Sequence, residues 1–352
     1  MRKFSLPAAT IVAVGLMAGP AAAQQLEPLA IKFIGQSSIE SHSSLTEKPY
    51  FEKLTAKSGG KVTVDLQPFN LLGLKGTEIL RLMKAGTLEW GSNGITFLAG
   101  ENPSFEACDL AGLTTDLAAA RKACDAYKPV FDRIMQQDWD TKLLALYPNP
   151  PQVFWCRVPI NGLADIKGKK VRVFNKNMSD FVEAVGGTSV SIAFADVVPA
   201  MQRGVADCAV TGTYNGNIAK WFEVTTHIYP LSLGWAIQYA AVNKSTWAKL
   251  SPAMQKFLTD AFKELEDEAW KTGAKITAQG LSCNLGTDPC DPPGSKAKMV
   301  LVKMGDADEQ LRTKIMREAV IPNWAKRCGA ACAKEWNETV GKVVGIQAPT
   351  NF

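Results

Sequence analysis

Strand-like and helix-like stretches alternate from Leu29 onward, and this rhythm confines the chain to folds in which helices cover a sheet. "LAIKFIGQSS" (29–38) reads as a strand, and "SLTEKPYFEKLTAKSGG" as a helix that its glycines stop. "KVTVDLQPF" alternates Val62, Val64 and Leu66, the period-two signal of another strand. "TEILRLMKAGTLEWG" reads as a helix, and "WGSNGITFLAG" as a strand with its loop. Repeated strand–helix–strand steps predict an α/β domain with a largely parallel sheet.

The prolines of "LLALYPNPPQVFWCRVPI" mark a crossing into a second unit. That unit reads as strand 170–174, helix 178–185, short strand 189–192, helix 195–203 and strand 206–210. "WAIQYAAVNKSTW" returns to a strand pattern. The stretch from Ser251 to Leu281 predicts one long helix, with Ser251 as N-cap and Pro252 at the first helical position. Met254, Leu258, Ala261, Leu265 and Ala269 keep helical spacing along one face of it. "NLGTDPCDPPGSK" is a proline-rich loop pinned by its cysteines.

The first residues point to export. Arg2 and Lys3 precede an apolar stretch ending at Ala21-Ala22-Ala23, the pattern of a signal peptide cleaved after Ala23. Cleavage leaves about 329 of the 352 residues, enough for two domains, and lowers the net charge from +5 to about +3. The remaining charge is spread, whereas a nucleic-acid footprint needs a concentrated basic face. Disulfides are the default for the eight cysteines of an exported chain, although about a hundred pairings are formally open. Proximity suggests Cys108–Cys124, Cys283–Cys290 and Cys328–Cys332, which leaves Cys156–Cys208 to close the longest loop.

Catalytic and metal motifs are not found. The two histidines, His42 and His227, lie in no HExxH pattern, and the chain has no CxxC, GxSxG or Walker loop. Cys328 and Cys332 are separated by three residues, which suits a structural disulfide better than redox chemistry. No cofactor is called for, and nothing favours an enzyme.

One residue stands out. In "DIKGKKVRVF" Arg172 sits between Val171 and Val173, in a strand whose face should be covered. A guanidinium there needs an anion, and two remain open: a protein carboxylate such as Asp207, or a ligand carboxylate matched by its planar fork.

"LADIKGKKVRVF" followed by "VGGTSVSIAFADVVPAMQRGVADC" resembles the core signature of the substrate-binding proteins of TRAP transporters, the DctP-type family. The matching positions are Asp165, Lys167, Gly168, Lys170, Arg172, Val173, Gly186, Ala200, Gln202, Gly204 and Asp207. "SGGKVTVDLQP", "WFEVTTHIY", "VNKSTWAKLSPAMQKFLTDA" and "AVIPNWAKRCG" are similar to further family segments in the family's order.

The resemblance implies an α/β, two-lobed, periplasmic-binding-protein-like fold with a hinge and a long helix spanning both lobes. Lobe I would hold 24–148 plus about 241–275, and lobe II 149–240 plus about 276–352. It further implies a monomeric periplasmic receptor, with no nucleic acid involved. That receptor closes over a small organic acid, with Arg172 bridging its carboxylate, and delivers it to a membrane permease. The rivals are a ligand-sensing subunit of the same fold and a periplasmic disulfide oxidoreductase using Cys328 and Cys332.

Further ligand contacts are expected at several positions. Thr211 stands where many family members have an asparagine, and Tyr214 and Asn215 lie just after it. Arg157 is either a second ligand arginine or a surface residue. Trp155, Tyr214, Trp221 and Trp235 either stack on an apolar ligand body or pack the core. Ser37, Ser38 and Asn93 lie in loops at strand ends, where α/β sheets place ligands.

Overall fold

The computed structural model describes Met1 and residues 26–352, so the leader reading, with its cleavage after Ala23, lies outside the described residues. Eleven strands run in chain order: β1 (Leu29–Gly35), β2 (Val62–Pro68), β3 (Trp90–Gly94), β4 (Thr141–Tyr147), β5 (Gln152–Cys156), β6 (Lys170–Val173), β7 (Thr188–Ser191), β8 (Cys208–Gly212), β9 (His227–Tyr229), β10 (Gln238–Asn243) and β11 (Val300–Leu301). They form two sheets, ordered β2-β1-β3-β10-β4 and β11-β9-β5-β8-β6-β7, one for each lobe.

The helices α1 (Lys48–Lys57), α2 (Ile79–Lys84), α3 (Leu117–Asp138), α4 (Lys176–Ala184), α5 (Val197–Gln202) and α6 (Thr213–Ile218) alternate with these strands. After β10 come α7 (Lys244–Ala248), α8 (Pro252–Leu285), α9 (Asp306–Ile315), α10 (Ile321–Cys328), α11 (Ala330–Glu338) and α12 (Val340–Val344).

Both sheets are largely parallel, as expected, and each contains one reversed strand. β10 is antiparallel to β3 and β4, and β5 is antiparallel to β8 and β9. Both enter from the other lobe. β4 runs into β5 through Pro148–Pro151, and β9 reaches β10 through residues 230–237. Neither passage uses the helical crossover that keeps neighbouring strands parallel. The two passages are hydrogen-bonded side by side, Asn149 N donating to Trp235 O and Gln152 N to Gly234 O, both at 2.8 Å. Ala236, in the second passage, has a positive φ of 42°.

The long helix α8 starts as its cap predicts, with Ser251 Oγ accepting from Met254 N at 3.2 Å. Its first half buries Met254, Leu258, Phe262 and Leu265 with Phe33 and Trp90 of the first sheet. Trp270 Nε1 donates to Leu146 O at 2.8 Å. Its second half lies on the other lobe, where Asn284 Nδ2 donates to Thr213 O at 2.8 Å. One helix therefore spans both lobes.

All four disulfides are those suggested by proximity and remainder: Cys108–Cys124, Cys156–Cys208, Cys283–Cys290 and Cys328–Cys332. Cys156 and Cys208 are direct register partners on β5 and β8, 52 residues apart in sequence. Closing a loop of that size restricts the unfolded chain by about 4 kcal/mol in the chain-entropy account. No helix among the described residues is long and apolar enough to cross a membrane, and no described cluster of His, Cys, Asp and Glu could hold a metal.

Candidate functional site

A cavity of about 530 Å³ opens where the lobes face each other across the two passages. The first lobe contributes Ser37, Glu40, Phe69 and Phe97, and the second Arg172, Phe174, Phe194, Thr211 and Asn215. The passages and the strands they join add Asn149, Gln152, Ala236 and Gln238.

Arg172 projects from β6 on the face opposite Val171 and Val173, and only 2% of it is exposed. Nε donates to Ile192 O at 2.9 Å and Nη1 to Val210 O at 2.8 Å. The guanidinium also lies 5.5 Å from the Phe174 ring centroid and 5.6 Å from that of Trp221, which fixes its plane. Asp207 does not neutralise it, because the Asp207 carboxylate accepts from Lys170 N at 3.0 Å instead. Two of five guanidinium N–H groups are thus used on carbonyls, and no carboxylate among the described residues is hydrogen-bonded to the others. Burial pulls the Arg172 pKa down to about 9, with Glu40 opposing, so the group is charged at neutral pH but poorly compensated.

Glu40 faces it from the first lobe, in the loop after β1. A second acid, Glu47, holds that loop from beneath. The fully buried Glu47 carboxyl accepts from Gln36 N at 3.0 Å, from Tyr147 Oη at 2.9 Å and from Ser92 Oγ. A Cβ at Gly35 would come within 2.6 Å of Glu47 Oε2, so glycine is required for the acid to reach under the strand end. Burial, then the neighbouring Glu47, push the Glu40 carboxyl up to about 7 against the pull of Arg172.

His42, in the same loop, is a packing residue. It is buried, with Nδ1 3.1 Å from Thr46 Oγ1 and its ring edge-on to Tyr147. Burial holds its pKa down at about 4. The unfolded chain therefore takes up this proton first as pH falls, and His42 withdraws stability from its unfolded value of 6.5 down through about 4. Denaturant midpoints measured from pH 7 to 4 should show wild type losing up to roughly 3 kcal/mol relative to His42→Gln. Parallel curves for the two proteins would rule this account out.

The remaining expected residues separate cleanly. Ser37, Thr211 and Asn215 line the cavity with Arg172. Asn215 is already engaged, since its Oδ1 accepts from Ser41 Oγ at 2.6 Å and its Nδ2 donates to Asn149 at 3.1 Å, tying both lobes to a passage.

Trp155, Tyr214 and Trp235 are not on the wall. Trp155 packs against Trp221 beneath the sheet and donates to Thr211 O at 3.3 Å. The Tyr214 hydroxyl donates to Asp291 O at 2.9 Å, and Trp235 Nε1 donates to Thr114 Oγ1 at 3.0 Å. Each aromatic has a partner for its polar end, which is what core packing demands.

Ser38 and Asn93 lie one contact back. Ser38 binds Asn70, and Asn93 Nδ2 donates to Gly76 O at 3.1 Å, which positions two wall segments. Arg157 is an exposed surface residue. The sequence reading did not single out Glu40, Asn149, Gln152, Gln238 or the phenylalanines. Glu40 nevertheless lies inside the loop "GQSSIESH" that it did mark.

Residues 35–281 match the model of the family described as DctP, bacterial extracellular solute-binding protein, family 7. The chain belongs to that family. The 2,3-diketo-L-gulonate-binding periplasmic protein YiaO of Escherichia coli is 24% identical over 237 residues, covering 67% of this chain and 72% of that protein. A Bordetella pertussis extracytoplasmic solute receptor, DctP6, solved binding pyroglutamic acid, superposes with a TM-score of 0.76 at 22% identity, over 89% of this chain and 100% of that one. A TRAP periplasmic solute-binding protein of Rhodoferax ferrireducens, solved with bound malonate, gives 0.77 at 18% identity over 90% and 98%. The two-lobed α/β fold of the family 7 receptors is therefore the fold of this chain.

Proposed function

We propose that this chain is a periplasmic solute receptor that captures a small monocarboxylate between its lobes, clamps it on Arg172 and delivers it to the membrane permease of a TRAP transporter. The observation that carries the reading is the Arg172 guanidinium, buried at the cavity wall and held by two carbonyls, with no described carboxylate hydrogen-bonded to it. The ligands of similar proteins support a carboxylate, since diketogulonate, pyroglutamate and the dicarboxylate malonate all carry one.

In this reading the residues before about 148 form one lobe with β10 and the first half of α8, and the passages at 148–151 and 230–237 act as the hinge. A micromolar dissociation constant corresponds to about 8 kcal/mol. A single arginine pair supplies only part of that, so contacts from both lobes are needed and ligand favours the closed state. A thermal-shift screen of organic acids tests the proposal. One or more monocarboxylates should raise the melting temperature in a concentration-dependent way, whereas a panel in which only neutral solutes stabilise the protein would refute it.

A further inference from the structure

The cavity walls are unequal in hydrogen-bond character. Beyond Arg172, three side-chain amides on the wall each turn one N–H into the protein. Gln152 Nε2 donates to Pro150 O at 2.8 Å, Gln238 Nε2 to Ala236 O at 2.6 Å and Asn149 Nδ2 to Ala236 O at 3.1 Å. Because each partner is a carbonyl, which accepts only, the orientation of these amides is fixed. Gln238 Oε1 is buried without a hydrogen-bond partner among the described residues.

Glu40 lines the same cavity. No hydrogen bond from the protein contributes to the state of its carboxyl, unlike that of Glu47 beneath it. Lys75 and Asp196, the other charged residues on the wall, are exposed at its rim, where water screens them. The interior thus sets a cationic donor, Arg172, against an acceptor, Glu40, with Phe69, Phe97, Phe174 and Phe194 also on the wall. The two charges face each other without pairing, since the Arg172 hydrogen bonds go to Ile192 and Val210.

Building on the carboxylate reading above, we infer that the receptor selects acids that also carry an N–H donor, the carboxylate seated on Arg172 and the N–H donated to the Glu40 carboxylate. A second carboxylate in place of the N–H would face Glu40 and be repelled wherever Glu40 is ionised. A ligand lacking the donor would leave the Glu40 carboxyl dehydrated and unpaired.

The test uses ring-matched probes that differ in one group. Pyroglutamate carries a lactam N–H, and 5-oxotetrahydrofuran-2-carboxylate has an ester oxygen in its place. Titration calorimetry on the full mature protein should find the lactam acid bound roughly 10- to 100-fold more tightly than the lactone acid, the range of a charge-assisted hydrogen bond. Malonate should bind more weakly than the lactam acid. Glu40→Ala should remove most of the lactam preference, and Glu40→Gln should bind malonate more tightly than wild type does.

Equal binding of the two ring acids by wild type, or binding of malonate and neither ring acid, would overturn the inference while leaving carboxylate capture intact. Failure of every carboxylate to bind would overturn both. The wild-type comparison stands even if a Glu40 variant folds poorly.

Discussion

Arg172→Ala should bind the cognate acid at least 30-fold more weakly than wild type, and up to several thousand-fold, while its unliganded melting temperature moves little. The range follows from truncating one partner of a buried, hydrogen-bonded charge pair, about 2–5 kcal/mol, at 1.4 kcal/mol per tenfold. Much of that loss is the ligand carboxylate left desolvated in a cavity whose nearest charge would then be Glu40. Stability should change little because the guanidinium is poorly compensated in the empty protein, burial depressing its pKa to about 9. The carbonyls of Ile192 and Val210 that it holds would be solvated from the cavity after truncation.

Arg172→Lys separates charge from geometry. An ammonium retains the charge but lacks the planar fork that bonds a carboxylate twice, so an intermediate loss is expected. Isothermal titration of the three proteins against one stabilising acid gives the answer. Equal affinities would remove Arg172 from the site.

Gly280→Ala should destabilise the protein by about 2 kcal/mol or more, the opposite sign from helix propensity, which favours alanine by up to about 1 kcal/mol. Gly280 is where α8 crosses α6 with backbone against backbone. A Cβ there would lie 2.6 Å from Tyr214 N, 2.8 Å from Thr213 Oγ1 and 2.8 Å from Tyr214 Cα. Two of these are Tyr214 backbone atoms that cannot turn aside, so the helices must separate. That would pull on Asn284 Nδ2, which donates to Thr213 O at 2.8 Å, and on the α6 start that carries Asn215.

Gly273 is the internal control, two turns earlier on the same helix. The nearest atom to its added Cβ is Leu117 Cδ2 at 3.0 Å, a side-chain methyl that can rotate aside. Gly273→Ala should fall within roughly 1 kcal/mol of wild type. Denaturant melts of the two variants that agree with each other would refute the backbone-contact account.

The strands and helices that announce themselves by period are those whose neighbours are local. α8 is the clearest example, because Ser251, Pro252 and the apolar stripe from Met254 to Ala269 all agree on its start and its buried face. The disulfides were equally legible, since short spacings leave few geometrically sensible partners. The direction of β5 and β10 was not. A strand's composition says that it is buried, and its direction depends on which sheet the chain enters next.

The same division runs through the site. Arg172 was conspicuous as a charge in an apolar strand, and Thr211 was found through its place in the motif. Trp155, Tyr214 and Trp235 were drawn toward the ligand by proximity in sequence, yet each side chain points into a core with a partner for its polar atom.

By itself the sequence determined the alternating α/β architecture, the disulfide partners suggested by proximity, the long helix and the charge of Arg172 in an apolar strand, because each is written in local pattern or residue chemistry. Only the tertiary structure decided that Asp207 turns to Lys170, 37 positions away, and that Glu40 faces Arg172 from the other lobe. Such relations join residues distant in sequence, and no local propensity carries the angle at which two lobes meet.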